Sequence, residues 1–273
     1  MNPAPIGVFD SGLGGLTAVR ELRRVLPGEN IVYFGDTGRV PYGNRSAETI
    51  LKFSRQNIAF LLSKGVKSVV AACGTASSTI PPAISDVFPV PFVGVIDAAT
   101  RAAAAASQTG RVGVVATETA IASGSYQTAL SALRPGINVF AAPCPLFVPL
   151  VEYGHFAPGD AMAALAIEEY LTPIREAKVD TLILGCTHYP LLASSIAAFM
   201  GEEVTLVDPG REAALQLQEA LAQKDNLSPR NGSGSTHFYV SAAPLRFDHL
   251  SAIFLGECAG AAAQQIDIEA YHL

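Results

Sequence analysis

Residues 179–191 read VDTLILGCTHYPL, and residues 66–79 read VKSVVAACGTASST. Each holds a short apolar run, Val179–Gly185 in one and Lys67–Ala72 in the other. Each run stops at a cysteine that opens a polar turn: Cys186-Thr187-His188 and Cys73-Gly74-Thr75. Apolar runs of this length bounded by turn residues read as strands buried on both faces, the kind that fill parallel sheets. Outward from Cys73, Gly7–Asp10 is a strand, Ser11–Gly15 a glycine turn, and Leu16, Val19, Leu22 and Leu26 recur at helical spacing. Ile31–Phe34 is a strand opening into the loop Gly35–Asn44, Ser46–Lys64 a helix, and Pro91–Asp97 another strand; Pro81 and Pro82 interrupt the helix after Cys73. Outward from Cys186 the same order returns: strand Arg111–Ala116, helix Ala122–Leu133, strand Asn138–Ala142, loop Pro143–Gly154, helix Asp160–Ala177, helix Pro190–Met200 and strand Val204–Asp208. Corresponding points keep a near-constant offset, 106 for Gly7 and Gly113, 113 for the cysteines and 111 for Asp97 and Asp208. Strands alternating with helices, twice over, predict an α/β fold of two pseudo-symmetric three-layer lobes with mostly parallel sheets. A tail follows: helix Arg211–Ala222, polar loop Gln223–Thr236, strand His237–Ser241 and helix Phe247–Ala263. It is too small for a core of its own and must pack on one lobe.

The chain of 273 residues is 49% hydrophobic and only 15% charged, a balance for a compact enzyme rather than a disordered segment. Its net charge of −6 offers no basic field, so neither nucleic acid nor an anionic membrane is expected as a partner. The opening MNPAPIGVFDSG has no charged segment followed by a long apolar run, and the strands are far too short to span a bilayer. The expected location is the cytoplasm. Of the four cysteines none forms C-x-x-C, and no His/Cys group has zinc spacing, so free thiols and no metal are expected.

Ligands of parallel α/β sheets lie beyond the carboxyl ends of the strands. Asp10 and Ser11, Cys73 and Thr75, Thr117 and Thr119, and Cys186, Thr187 and His188 all collect there. With two lobes facing each other, those edges meet in one cleft, and Cys73 and Cys186 approach a bound molecule from opposite sides. Inverting a carbon stereocentre needs that arrangement, because the proton leaves one face and returns to the other. A free thiol is only a few per cent ionised at neutrality, and a helix N-terminus with nearby donors favours the anion. His188 can stabilise Cys186 or relay its proton, and Asp10 can do so for Cys73. Cys144 and Cys258 read as buried small hydrophobes. The turn Gly12–Gly15 matches neither G-x-G-x-x-G nor G-x-x-x-x-G-K-[ST], and no cofactor motif is present. Asp10 and Ser11 also suit a helix cap, and Glu152 suits either a site or a solvated loop.

Five segments, in order, resemble the glutamate racemase family along nearly the whole chain: 7–17 (GVFDSGLGGLT), Asp36 with Pro41-Tyr42-Gly43, Ala72-Cys73 with Thr75-Ala76-Ser77, Pro149–Glu152, and 184–191 (LGCTHYPL). The resemblance implies racemisation of glutamate without a cofactor, supplying D-glutamate for peptidoglycan, by a homodimer. It gives Cys73 the proton of the D-enantiomer and Cys186 that of the L-enantiomer. Asp10, Ser11, Pro41, Tyr42, Gly43, Gly74, Thr75, Thr117, Thr119, Glu152, Thr187 and His188 become the substrate contacts. It also returns the tail to the first lobe, giving residues 1–97 with 209–273 against 98–208. One departure stands out. Where the family usually carries Asn after its first catalytic cysteine, this chain has Gly74. That removes a side-chain amide worth roughly 1.5–3 kcal/mol to a charged ligand and frees space beside Cys73. The freed space keeps open a two-cysteine racemase of aspartate or a hydantoin, and Gly74 equally suits an enzyme that has lost activity and kept its fold. The rival from another class is a two-lobed small-molecule binding protein without catalysis.

Overall fold

The computed structural model describes residues 1–81, 88–256 and 261–273, and Pro82 and Cys258 lie outside these. The first half runs β1 (Ile6–Asp10), α1 (Leu16–Val25), β2 (Ile31–Gly35), α2 (Ala47–Ser63), β3 (Ser68–Ala71), α3 (Gly74–Thr79), β4 (Phe92–Gly94) and α4 (Val95–Ala106). The second runs β5 (Arg111–Ala116), α5 (Glu118–Ala122), α6 (Ser125–Leu133), β6 (Asn138–Pro143), α7 (Phe147–Glu152), α8 (Ala161–Glu176), β7 (Thr181–Leu184), α9 (Ala193–Met200) and β8 (Thr205–Val207). The tail adds α10 (Pro209–Gln223), β9 (Thr236–Val240), α11 (Pro244–Leu255) and β10 (Gln264–Gln265).

Two parallel sheets result, β10-β9-β2-β1-β3-β4 and β6-β5-β7-β8. The order β2-β1-β3-β4 is repeated as β6-β5-β7-β8, so the repeat read from spacing is a repeat of topology. β1, β2, β3 and β7 are buried along their whole length, which is why they read as unbroken apolar runs. Cys73 and Cys186 each stand two residues beyond the end of the equivalent strand, β3 at Ala71 and β7 at Leu184. The tail joins the first sheet, with β9 pairing β2 from Ile31↔Thr236 to Gly35↔Val240, and α10 packs on α1 and α4. No described helix is long and apolar enough to cross a membrane.

Several boundaries differ from expectation, each for a local reason. The strand expected to run to Asp97 stops at Gly94, and Val95–Asp97 form the first turn of α4, which carries the chain across residue 97 without a loop. Asp97 suits the positive end of that helix and pairs with Arg101 at 3.0 Å. Asp97 and Asp208 are therefore not equivalent, since Asp208 caps α10 with its side chain and Gly94 is the cap of α4. The expected loop 143–154 contains α7, whose Pro149 sits in the first turn, where it displaces no helical hydrogen bond. The helix expected over 122–133 breaks at Gly124, in the left-handed region at φ 66°. The last helix ends at Leu255 rather than Ala263, because Gly256 caps it with φ 75°.

At the amino end of β3, opposite the carboxyl ends of the strands, Lys67 and Glu29 form a buried ion pair at 2.7 Å. The ammonium also donates to the carbonyls of Asn2 and Asn226 at 2.8 Å, and the carboxylate accepts from the Ser228 amide at 2.7 Å. The N-terminal segment and the chain after α10 are thus tied to the foot of β3.

Candidate active site

The carboxyl ends of the two sheets enclose a cavity of about 410 Å³. Asp10, Ser11, Pro41, Tyr42, Gly43, Cys73, Gly74, Thr75, Thr117, Glu152, Cys186, Thr187 and His188 all line it. Of the candidates only Thr119 is outside the lining. Its hydroxyl instead donates a very short hydrogen bond to the Gly43 carbonyl, joining α5 to the loop of the other half.

On the first-sheet side Cys73 caps α3, and its sulfur accepts the Ala76 amide and donates to Ser11 Oγ, both at 3.5 Å. Burial, with the Asp10 carboxylate adding to it, pushes the thiol up to about 12. Asp10 ends β1. Its Oδ2 accepts the Gly12 amide at 2.9 Å, while buried Oδ1 has no hydrogen-bond partner among the described residues. Burial raises this carboxyl above its ordinary value despite the Gly12 bond and His188 nearby.

On the other side Cys186 Sγ lies 3.9 Å from His188 Nδ1, and His188 Nε2 lies 3.2 Å from Glu152 Oε1. Burial alone would lower the imidazole, but its contacts with Cys186 and Glu152, with Asp10 further off, outweigh burial and raise it to about 10. The His188 bond holds the Glu152 carboxyl below its ordinary value. An imidazolium faces the Cys186 sulfur, the partner a thiolate base needs. Glu152 thus lines the cavity as the partner of His188 rather than standing as an unpaired loop charge. Thr75 and Thr117 meet across the cavity, Oγ1 to Oγ1 at 3.0 Å.

The expectation that Gly74 frees space is corrected by the backbone. A Cβ on residue 74 would stand 2.5 Å from the Gly185 carbonyl oxygen, so the second strand end already occupies that side. Cys144, expected to be a plain core residue, is fully buried and also forms part of the cavity wall.

Residues missed in the sequence reach the site across long separations. Phe254, in α11, packs edge-on to the His188 ring at 5.1 Å. Thr17 donates to the Thr187 carbonyl at 2.9 Å. Gly14, in the turn that matched no nucleotide motif, makes the room that the Thr187–His188 turn fills. A Cβ there would lie 2.2 Å from Thr187 Oγ1 and 2.5 Å from His188 Nδ1. Its backbone is not left-handed, so alanine meets no local strain and the cost falls on the Thr187–His188 turn. Gly14→Ala is expected to keep its melting temperature within a few degrees and lose about tenfold or more in kcat/KM, since small displacements of reacting groups are costly. A variant as active as the parent would show that the histidine turn gives way freely.

Among the described residues no group of three or more His, Cys, Asp or Glu side chains could hold a metal ion. The cavity lining presents thiols, carboxyls and one imidazole.

A family model described as Asp/Glu/Hydantoin racemase matches residues 16–217. The chain is 44% identical over 265 residues to a glutamate racemase of Geobacter metallireducens, covering 97% of each protein. It is 44% identical over 252 residues to one of Syntrophus aciditrophicus, covering 92% of this chain and 93% of that one. Among solved structures, glutamate racemase of Francisella tularensis in complex with D-glutamate superposes with a TM-score of 0.89 at 35% identity, over 99% of this chain and 100% of that one. A Bacillus anthracis glutamate racemase gives 0.92 at 34% identity over 98% of each. An aspartate racemase of Picrophilus torridus, at 19% identity and a TM-score of 0.57, shares the fold alone. By the matched model and by these full-length relatives, the chain belongs to the Asp/Glu/Hydantoin racemase family of isomerases.

Proposed function

We propose that this enzyme interconverts L- and D-glutamate by two-base proton transfer at Cα, without a cofactor. The observation that carries the reading is one cavity whose lining includes two thiols, Cys73 and Cys186, each supplied by the equivalent strand end of one sheet. The names of the relatives and the D-glutamate bound to the Francisella tularensis enzyme support the choice of substrate.

In the L-to-D direction Cys186, as thiolate beside the His188 imidazolium, takes the Cα proton. The electron pair moves into the α-carboxylate, and the Cys73 thiol, kept protonated by burial, delivers its proton to the opposite face. One proton is gained at Cys186 and one lost at Cys73, and the reverse reaction exchanges these roles. Glu152 keeps the imidazole charged and turned toward the sulfur, and Asp10 serves the Cys73 side. Ser11, Pro41, Tyr42, Gly43, Gly74, Thr75, Thr117 and Thr187 hold the substrate around the reacting carbon, with Thr119 acting one step back through Gly43. The first lobe is residues 1–97 with 209–273, and the second is 98–208. A cytoplasmic homodimer supplying D-glutamate for peptidoglycan completes the reading.

The test is L-glutamate in deuterated water with no cofactor added, following circular dichroism and α-proton loss together, with aspartate and a hydantoin in parallel. Decay of the signal to zero with deuterium entering Cα is the expected result for glutamate. Folded enzyme that leaves glutamate unchanged, or turns over another substrate faster, overturns the assignment.

A further inference from the structure

The loop that brings Pro41, Tyr42 and Gly43 to the cavity is held from behind by a chain of polar contacts that ends on the C-terminal tail. Tyr42 is fully buried, and its hydroxyl makes a very short hydrogen bond to the Asp36 carboxylate and accepts from Asn57 Nδ2 at 3.0 Å. Asp36, itself fully buried, also accepts from Ser241 Oγ at 2.8 Å and Arg39 Nε at 2.7 Å. The Arg39 guanidinium then spreads over three more acceptors: Gln56 Oε1 at 2.6 Å, Glu269 Oε1 at 2.9 Å and Asn57 Oδ1 at 3.2 Å. It also stacks over the Phe53 ring at 4.0 Å. Glu269 is not a free end. Its other oxygen accepts from Gln56 Nε2 at 3.0 Å, neighbouring Ile268 is buried, and Tyr271 packs edge-on to Phe60 at 5.2 Å.

We propose that Arg39 is a positioning residue for the substrate loop, and that the C-terminal tail belongs to the active-site machinery because Glu269 anchors the far side of that guanidinium. Arg39 touches no reacting atom. It neutralises buried Asp36, Asp36 fixes the Tyr42 hydroxyl, and Tyr42 sets Gly43, whose carbonyl Thr119 holds from the other half. A planar fork with several donors is required, because one ammonium cannot reach acceptors on the loop, on α2 and on the tail together. The loop contributes contacts to substrate rather than a proton carrier, so its displacement falls on binding in ground and transition states alike. The catalytic part of this inference rests on the glutamate reading, whereas the loop's restraint does not.

The test compares Arg39→Met, Arg39→Lys, Glu269→Gln and Glu269→Ala with the parent enzyme in two assays. The first is amide hydrogen exchange without substrate, read on peptides covering 36–45 and on a control peptide from β5. Faster exchange confined to 36–45 is expected, greatest in Arg39→Met, smaller in Arg39→Lys and smallest in Glu269→Gln. The second is glutamate racemisation, where Arg39→Met is expected to raise KM by about tenfold or more with kcat within about threefold. Glu269→Ala is expected to raise KM about threefold, an effect that shrinks at high salt because this carboxylate is half exposed. Unchanged exchange and KM in a folded Arg39→Met overturn the proposal. So does exchange that quickens equally in the β5 peptide with a parallel fall in kcat, which marks a merely structural residue. Should Arg39→Met fail to fold, the two Glu269 variants decide by the same criteria. An inactive parent enzyme would reject glutamate as substrate and leave the exchange assay to judge the latch.

Discussion

Replacing Cys186 by alanine is expected to lower racemisation of glutamate by about a thousandfold or more, with the fold intact. The sulfur is half-buried in the cavity wall, 3.9 Å from His188 Nδ1, and only borders the core. Its loss therefore removes a reacting group more than it removes packing. General acid–base groups typically contribute about 10²–10⁴-fold, and here one thiol serves as base in one direction and acid in the other. The variant is expected to split the reaction. With Cys73 alone, deuterium can slowly enter D-glutamate without inversion, while L-glutamate, whose α-proton faces the missing sulfur, stays protonated. Cys73→Ala is expected to give the mirror result. Proton NMR of each enantiomer in deuterated water reads both outcomes. Racemisation that survives near the parent rate in either variant, or equal exchange from both enantiomers in each, would sink the two-base assignment.

Lys67→Met is expected to leave kcat unchanged and destabilise the protein by about 3–5 kcal/mol, the usual cost of stranding one member of a buried ion pair. The pair lies at the opposite end of β3 from Cys73, with both side chains almost wholly shielded from water. Methionine fills the volume of the lysine stem but leaves the Glu29 carboxylate with only the Ser228 amide. It also releases the carbonyls of Asn2 and Asn226. The melting temperature should fall on the order of 10 °C for a chain of this size. A second change, Glu29→Gln, should recover part of that loss, because the stranded charge is then gone. A fall of less than about 2 °C in the single variant would mean that water or a rearranged partner meets the carboxylate.

The sheets and the two thiols were legible because parallel strands are buried on both faces and write themselves as continuous apolar runs. A polar residue that ends such a run stands out. The first turn of α4 misled for the same reason: Val95 and Ile96 extend an apolar stretch, and nothing local says that the period changes from two to 3.6. Helix α7 was hidden by Pro143, Pro145 and Pro149, residues of loops that are also tolerated in a first helical turn. The residues read as site candidates nearly all line one cavity, but their supports were not readable. Phe254 against His188, Thr17 on Thr187 and Glu269 on Arg39 join positions far apart in the chain, and no short-range pattern announces them. Gly74 shows the converse limit. A missing side chain looks like empty space until the facing backbone, here the Gly185 carbonyl, is in place.

The repeated strand order has a consequence for how such a catalyst can arise. One sheet of the β2-β1-β3-β4 pattern carries one thiol at one strand end, and a lone thiol can pull a proton from a carbon and hand it back only to the same face. A half-length unit of that kind would exchange a proton and keep the handedness of whatever it bound. On the two-base reading, two such units whose strand ends share one cavity make an inverter with no further kind of residue. One sulfur stands near a carboxyl and the other beside an imidazole, so the two proposed bases would meet mirror images in unlike surroundings.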